Sequence, residues 1–195
     1  MTLLPEAVLS RFERIMDCAQ QTSLREPTAV TLATAGLDGR PSARIVLMRG
    51  FDSRGFVFFT NSLSRKGRQI AENPHAALCF HWDELAEQVR VEGAVTEVGD
   101  DESDRYWSGR SRESQIGAWA SLQSETLDRR ETLEGRVRDF TDLYQGKQVP
   151  RPTHWHGYRV IPDRIEFWKD GAARLHERVL YTLKDAAWHE TLLYP

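Results

Sequence analysis

Arg44-Ile45-Val46-Leu47-Met48-Arg49, Gly50-Phe51-Asp52-Ser53-Arg54-Gly55, Phe56-Val57-Phe58-Phe59-Thr60-Asn61 and, after Ser62-Leu63, Ser64-Arg65-Lys66-Gly67-Arg68-Gln69-Ile70 form the stretch whose reading decides the fold. Two apolar runs rich in β-branched and aromatic residues flank a Gly/Asp/Ser segment, which is the signature of a β-hairpin. The second strand runs into Ser64, an N-capping residue, and a basic helix start. Arg44, Arg49, Arg65 and Lys66 therefore gather around one hairpin and one helix N-terminus. Amides at a helix start combined with Arg forks make a phosphate cradle, so the stretch is expected to hold a phosphorylated ligand.

Working outward, residues 5–22 carry apolar side chains at 8, 9, 12, 15 and 16, a helical spacing, and Pro27 ends this N-terminal segment (1–26). Strands are expected at Ala29–Ala35, Pro41–Arg49, Gly55–Asn61, His75–Trp82 and Glu87–Val98, with a short helix at Arg65–Glu72 and a bulge at Gly93. Closely spaced antiparallel strands over 27–98 predict a small barrel. Residues 99–150 read as helical: a start at Gly99–Glu102, a mixed helix and loop from Arg105 to Ser124, and a charged amphipathic helix from Glu125 to Gln145. Residues 151–195 return to strands at Trp155–Val160, Arg164–Trp168, Glu177–Lys184 and Ala187–Tyr194. The fold class is mainly β with helices, in one domain spanning 1–195.

Bulk properties narrow the partners. Net charge is −3, which argues against nucleic acid or an anionic membrane surface. Only four of 26 cations are lysines, an Arg excess that suits bidentate phosphate binding or simply follows codon bias. Cys18 and Cys79 lie far apart without a CxxC and read as buried reduced thiols, so a cytoplasmic location is expected. No run approaches the roughly 20 apolar residues that span a bilayer.

The candidate site residues each admit a plain alternative. Arg44 and Arg49 are five apart, so a regular strand points them to opposite faces unless Gly50 or a bulge re-aims the second. Tyr106, Arg110 and Ser114 would share one helix face and could grip a phosphate, although Gly109 and Ser111 argue against a continuous helix. Gln115 to Ser121, followed by Gln123-Ser124, carries amides and a Trp that suit uncharged contact with a heteroaromatic ring or plain core packing. Arg174 and His176 read as one face of a strand continued by Arg178, with a cation–imidazole–cation row that disfavours the protonated His. His154-x-His156 lacks a third ligand, so no metal is expected.

Taken together these motifs resemble the pyridoxamine 5′-phosphate oxidases from about Pro27 to Pro195. The resemblance rests on Arg44-Ile45-Val46-Leu47, Phe59-Thr60-Asn61, Ser64-Arg65-Lys66, Gln88-Val89, Ser114-Gln115-Ile116-Gly117-Ala118-Trp119, Gln123-Ser124, Ile165-Glu166-Phe167-Trp168 and Arg174-Leu175-His176-Glu177-Arg178. It implies a split β-barrel homodimer with FMN at the subunit interface. Arg44, Ile45, Val46, Leu47, Met48, Arg49, Phe59, Thr60, Arg65, Lys66 and Gln88 would contact FMN, and Gln123, Ser124, Trp168 and Arg178 would complete that site. Arg49, Tyr106, Arg110 and Ser114 would hold the substrate phosphate, with Arg174 and His176 as catalytic groups over the pyridine ring. The activity implied is a flavin-dependent oxidoreductase, a pyridoxal 5′-phosphate synthase: pyridoxamine or pyridoxine 5′-phosphate is oxidised, with O2 as acceptor and H2O2 as product. A related flavin oxidase of the phenazine type and a non-catalytic flavin-binding split barrel are the alternatives. The chain departs from the family pattern at Arg49, where Lys is usual, and at Phe59, where Tyr is usual. Its N-terminal segment reads as short, and its C-terminus lacks an expected Arg.

Overall fold

The computed structural model describes residues 2–195. In chain order the elements are α1 (Glu6–Gln20), β1 (Ala29–Ala35), β2 (Pro41–Asp52), β3 (Gly55–Asn61), α2 (Arg65–Glu72), β4 (His75–Trp82), β5 (Glu87–Glu97), α3 (Asp100–Ser108), α4 (Arg112–Ala120), α5 (Arg130–Leu143), β6 (Trp155–Lys169), β7 (Glu177–Lys184) and β8 (Ala187–Leu192). The strands run β3-β2-β1-β4-β5-β6 and close on themselves through an added β3–β6 pairing, all antiparallel. This is a six-stranded split barrel, from which β7 and β8 extend along the free edge of β6.

Alternation explains the closure. β1 and β4 bury every second residue, with Val30, Leu32, Leu78 and Phe80 directed inward. α1 closes the barrel with one apolar face, Val8, Phe12, Ile15, Met16 and Ala19. Phe12 is 1% exposed and meets Phe51, Phe56, Phe80 and Trp82 edge-on at 4.8 to 6.1 Å. Burying one such ring contributes about 1.5–3 kcal/mol. Cys18 falls on the opposite face of α1 and is exposed, and Cys79 is half-buried, so neither is the buried thiol expected from the sequence.

Two bulges shape the barrel. Met48 pairs with Phe58 and Gly50 with Val57, which leaves Arg49 as an extra residue on β2. Glu92 pairs with Arg164 and Gly93 with Pro162, which leaves Asp163 extra on β6. The bulge expected at Gly93 is present, but its extra residue lies on the partner strand. A Cβ at Gly93 would sit 2.0 Å from the Ile161 carbonyl oxygen, so the close approach requires glycine. Pro162 does not end the strand, because a bulge tolerates its missing N–H. The two strands expected at 155–160 and 164–168 are accordingly one strand of 15 residues.

The long helix begins at Arg130 rather than Glu125. Ser124 adopts φ 76°, Glu125 N–H turns back to the Leu122 carbonyl, and the Glu125 side chain pairs with Arg68 at 2.9 Å, which keeps 125–129 out of the helix. α5 buries no residue fully within the chain.

Candidate active site

Hairpin β2–β3 and the start of α2 build a cavity of about 340 Å³. Ser64 caps α2, its Oγ accepting from Gly67 N–H at 3.3 Å. That fixes Lys66 in the first turn, only 8% exposed, with Nζ donating to Gln123 Oε1 at 3.0 Å and to Thr60 Oγ1 and Ser64 Oγ at 3.2 Å. All three acceptors are neutral. Burial, reinforced by the charge of Arg44, pushes the Lys66 ammonium down to about 8. Arg44 donates to Leu32 O at 3.2 Å and Thr34 Oγ1 at 2.6 Å, and burial followed by the charge of Arg65 lowers its pKa. Gln123 and Ser124 join from the loop after α4, Ser124 Oγ accepting from Arg65 N–H at 3.1 Å.

The bulge places Arg49 on the same cavity as Arg44, resolving the parity conflict of the five-residue spacing. Tyr106 and Arg110 line its far wall. They do not lie on one helix with Ser114: α3 ends at Ser108, Arg110 lies in the turn, and Ser111 caps α4 by accepting from Ser114 N–H. The turn still brings Arg110 and Ser114 together around a second, adjoining cavity of about 280 Å³. Phe59, Tyr106 and Trp155 stack nearly parallel, the first two rings 4.0 Å apart, and Arg110 lies over Trp155 at 4.9 Å. Gly157 makes room for this slab, since a Cβ there would meet the Phe59 ring at 2.6 Å.

Burial holds the Arg110 guanidinium below its ordinary value; Tyr106 opposes that and Arg49 adds to it. Arg110 Nε is buried without a hydrogen-bond partner. Among the described residues, no carboxylate lies within 4.0 Å of the charged nitrogens of Arg44, Arg49, Arg65, Lys66 or Arg110. Four cations lining one concavity, with Arg65 beside it at the start of α2, none with internal counter-charge and one with an orphaned donor, fit anionic ligands.

The other expected site residues lie elsewhere in the chain. Gln88 pairs across strands with Trp168, and Trp168 with Arg178, giving a row over β5, β6 and β7. Arg178 Nε donates to Glu166 Oε1 at 2.7 Å and Nη1 to the Tyr194 carbonyl at 2.9 Å. The hydrogen bond to Glu166 holds Arg178 above its ordinary value.

Arg174 is not on a strand. It ends a 3₁₀ turn in which Ala173 and Arg174 have φ 54° and 63°. For residues with a Cβ that conformation costs about 1–2 kcal/mol each. His176 Nδ1 lies 2.9 Å from Asp170 Oδ1 and 3.3 Å from Gly171 N–H, and its ring packs on Trp168 at 4.7 Å. The group facing the imidazole is thus a carboxylate and not the expected row of cations.

Gln115 Nε2 donates to Trp107 O at 2.8 Å and Trp119 Nε1 to Pro150 O at 2.8 Å, so these two donors are spent on backbone, in line with the packing alternative. His156 faces Glu97 at 3.9 Å and His154 packs against Trp119. Among the described residues no group of three His, Cys, Asp or Glu is placed to hold a metal ion, and no helix is long and apolar enough to cross a membrane. Sequence reasoning missed Glu166, Asp170 and Trp155. Glu166, a lone acid inside Ile165–Trp168 with arginines nearby, was the available signal.

Comparison with known proteins agrees with this architecture. Residues 16–144 match the model of the pyridoxamine 5′-phosphate oxidase family, and residues 155–195 match the pyridoxine 5′-phosphate oxidase C-terminal dimerisation region, which supports a homodimer. The chain is 52% identical over 193 residues to a pyridoxine/pyridoxamine 5′-phosphate oxidase of Myxococcus xanthus (strain DK1622), covering 99% of this chain and 94% of that protein. It is 51% identical to one of Alkalilimnicola ehrlichii over the whole of both chains. Among solved structures it is similar to PhzG from Burkholderia lata 383 in complex with tetrahydrophenazine-1-carboxylic acid, with TM-score 0.88, 36% identity, and 97% and 91% of the two chains covered. A pyridoxamine 5′-phosphate oxidase-related, FMN binding protein from Nostoc punctiforme shares the fold, with TM-score 0.76 at 19% identity over 95% of this chain and 96% of that one. The chain belongs to the pyridoxamine 5′-phosphate oxidase family.

Proposed function

We propose that this protein is an FMN-dependent oxidase that converts pyridoxamine and pyridoxine 5′-phosphates to pyridoxal 5′-phosphate, with O2 as acceptor and H2O2 as product. One observation carries the reading: four cations line the cavity and Arg65 stands beside it at the start of α2, all without internal counter-charge and more than one phosphate needs. Two phosphorylated ligands, a cofactor and a substrate, account for them. Arg44, Arg65 and Lys66, with the capped start of α2, would hold the FMN phosphate. The segment Ile45–Met48, Phe59, Thr60, Gln123 and Ser124 would line the rest of its site. Arg49 and Arg110, with Tyr106 and Ser114, would hold the substrate phosphate, the orphaned Arg110 Nε gaining its acceptor.

Gln88, Trp168, Arg174, His176 and Arg178 are absent from the lining of both cavities in the single chain. A homodimer in which each subunit's row faces the partner's cavity would bring the two sets together. The dimerisation match and the exposed Ile45, Leu122 and Leu127 support that arrangement. When bound, FMN supplies the two-electron acceptor that O2 regenerates. The chain's own part is positional: paired guanidiniums fix the phosphate, and Arg174 and His176 orient the reacting carbon, with His176 steadied by Asp170 and Trp168.

Likeness to PhzG favours a second reading, an oxidase of a tricyclic carboxylic acid. The second pair of guanidiniums suits a phosphate dianion better than a single carboxylate. Assaying the yellow holoprotein for aldehyde and peroxide from both phosphorylated vitamers tests the proposal. Flavin without turnover of either vitamer would favour the second reading, and a colourless chain that FMN cannot reconstitute would end both.

A further inference from the structure

We infer that Glu166 is a positioning residue: it sets the orientation of Arg178 so that one edge of that guanidinium is left free for FMN. The inference rests on the reading that Arg178 contacts the cofactor. Glu166 is 3% exposed, on β6 between Ile165 and Phe167. A carboxyl there loses its water, and only paired donors offset that loss. Both of its oxygens have donors. Oε1 accepts from Arg178 Nε at 2.7 Å, and Oε2 accepts from Arg90 Nη1 at 3.3 Å. Arg90 is shared outward with Glu92 at 2.6 Å, whereas Glu166 is the only carboxylate within salt-bridge reach of Arg178 among the described residues.

The guanidinium of Arg178 is thereby held at two points. Nε is on Glu166 and Nη1 is on the Tyr194 carbonyl. Nη2 has no partner among the described residues. A planar fork fixed at two nitrogens has one direction left for the third. That edge belongs to the row Gln88–Trp168–Arg178, all three register partners across β5, β6 and β7. Glutamine at 166 keeps the shape but offers one acceptor and one donor where two donors converge. It turns away either Arg90 or Arg178.

The test is FMN affinity, measured by fluorescence quenching on titrating apoprotein of the full chain, for the parent, Glu166→Gln, Arg178→Ala and the double variant. Arg178→Ala is expected to weaken FMN about tenfold or more, as loss of a charged hydrogen bond does. Glu166→Gln is expected to weaken it several-fold, with the double variant no worse than Arg178→Ala alone. Additive losses would assign Glu166 a general structural role and overturn the inference, as would unchanged affinity in Glu166→Gln. Unchanged affinity in Arg178→Ala would instead remove Arg178 from the cofactor site and take the inference with it.

Arg178→Lys covers the case in which Glu166→Gln does not fold, because it leaves the buried carboxylate in place. An ammonium drawn to Glu166 is a single point and not a fork, so its remaining donors do not reach where Arg178 Nη2 points, and FMN should weaken as in Arg178→Ala. Parent-like affinity in Arg178→Lys overturns the inference.

Discussion

The cavity beneath α2 and the row across β5, β6 and β7 treat their cations in opposite ways. In the cavity, Lys66 and Arg44 are desolvated and bonded to neutral acceptors, and burial lowers both. In the row, Arg178 is paired with Glu166 and His176 faces Asp170. Charge left uncompensated seeks an anion; charge already paired, as in Arg178, meets a ligand only through the edge its partner leaves free. On the proposed reading the cavity supplies most of the hold on phosphate, and the row sets the direction from which its groups meet the ligands.

The largest effect that would break this contrast is on turnover. Arg174→Ala or His176→Ala should lower kcat about a hundredfold, in line with the cost of misplacing a positioning group, while FMN stays bound. Flavin loss in either variant would put that residue among those that hold the cofactor. Next, Arg110→Ala should raise KM for the phosphorylated substrate by about 10–100-fold, the worth of a charged hydrogen bond, with flavin content unchanged. Arg65→Ala should do the reverse, weakening FMN while sparing KM; an exchange of these phenotypes would swap the two phosphate assignments.

A smaller effect concerns pH. Lys66 is pushed down to about 8, chiefly by burial, and a bound phosphate favours its charged form. FMN affinity should therefore be full below pH 8 and fall above it, by up to about tenfold per pH unit, as the free protein must take up a proton to bind. Titrations at pH 7, 8 and 9 measure this, and Lys66→Met should flatten the profile. The smallest expected effect is Asp170→Asn, which keeps a hydrogen-bonding side chain beside His176 and should lower kcat only several-fold. A full loss of activity there would mean that Asp170 does more than steady the ring.

The barrel was legible because its strands alternate and their turns carry Gly, Asp and Pro. Short-range signals also located α2 and its cap at Ser64. What escaped was long-range. Pro162 reads as a strand breaker until Gly93 is seen to lie opposite it. Arg174 reads as strand because its neighbours are strand-like, and only the turn at Gly171–Leu175 bends it away. The cationic cavity was legible in part: the parity of Arg44 and Arg49 stated the problem, and the bulge at Arg49 solved it. The pairing of Asp170 with His176 was hidden because a residue read as turn chemistry folds back onto the imidazole six residues on.

The β3–β6 pairing has a consequence for how the chain can be divided. β6 lies within the matched C-terminal region, yet it borders β3 from Phe56 to Asn61 and β5 from Glu87 to Glu97. Severing the chain in Pro150–Pro152 would strip hydrogen-bond partners from two strands at once, leaving bare edges of the kind that recruit other chains. We expect the first 150 residues expressed alone to aggregate, and residues 151–195 supplied separately to rescue them by completing the wall.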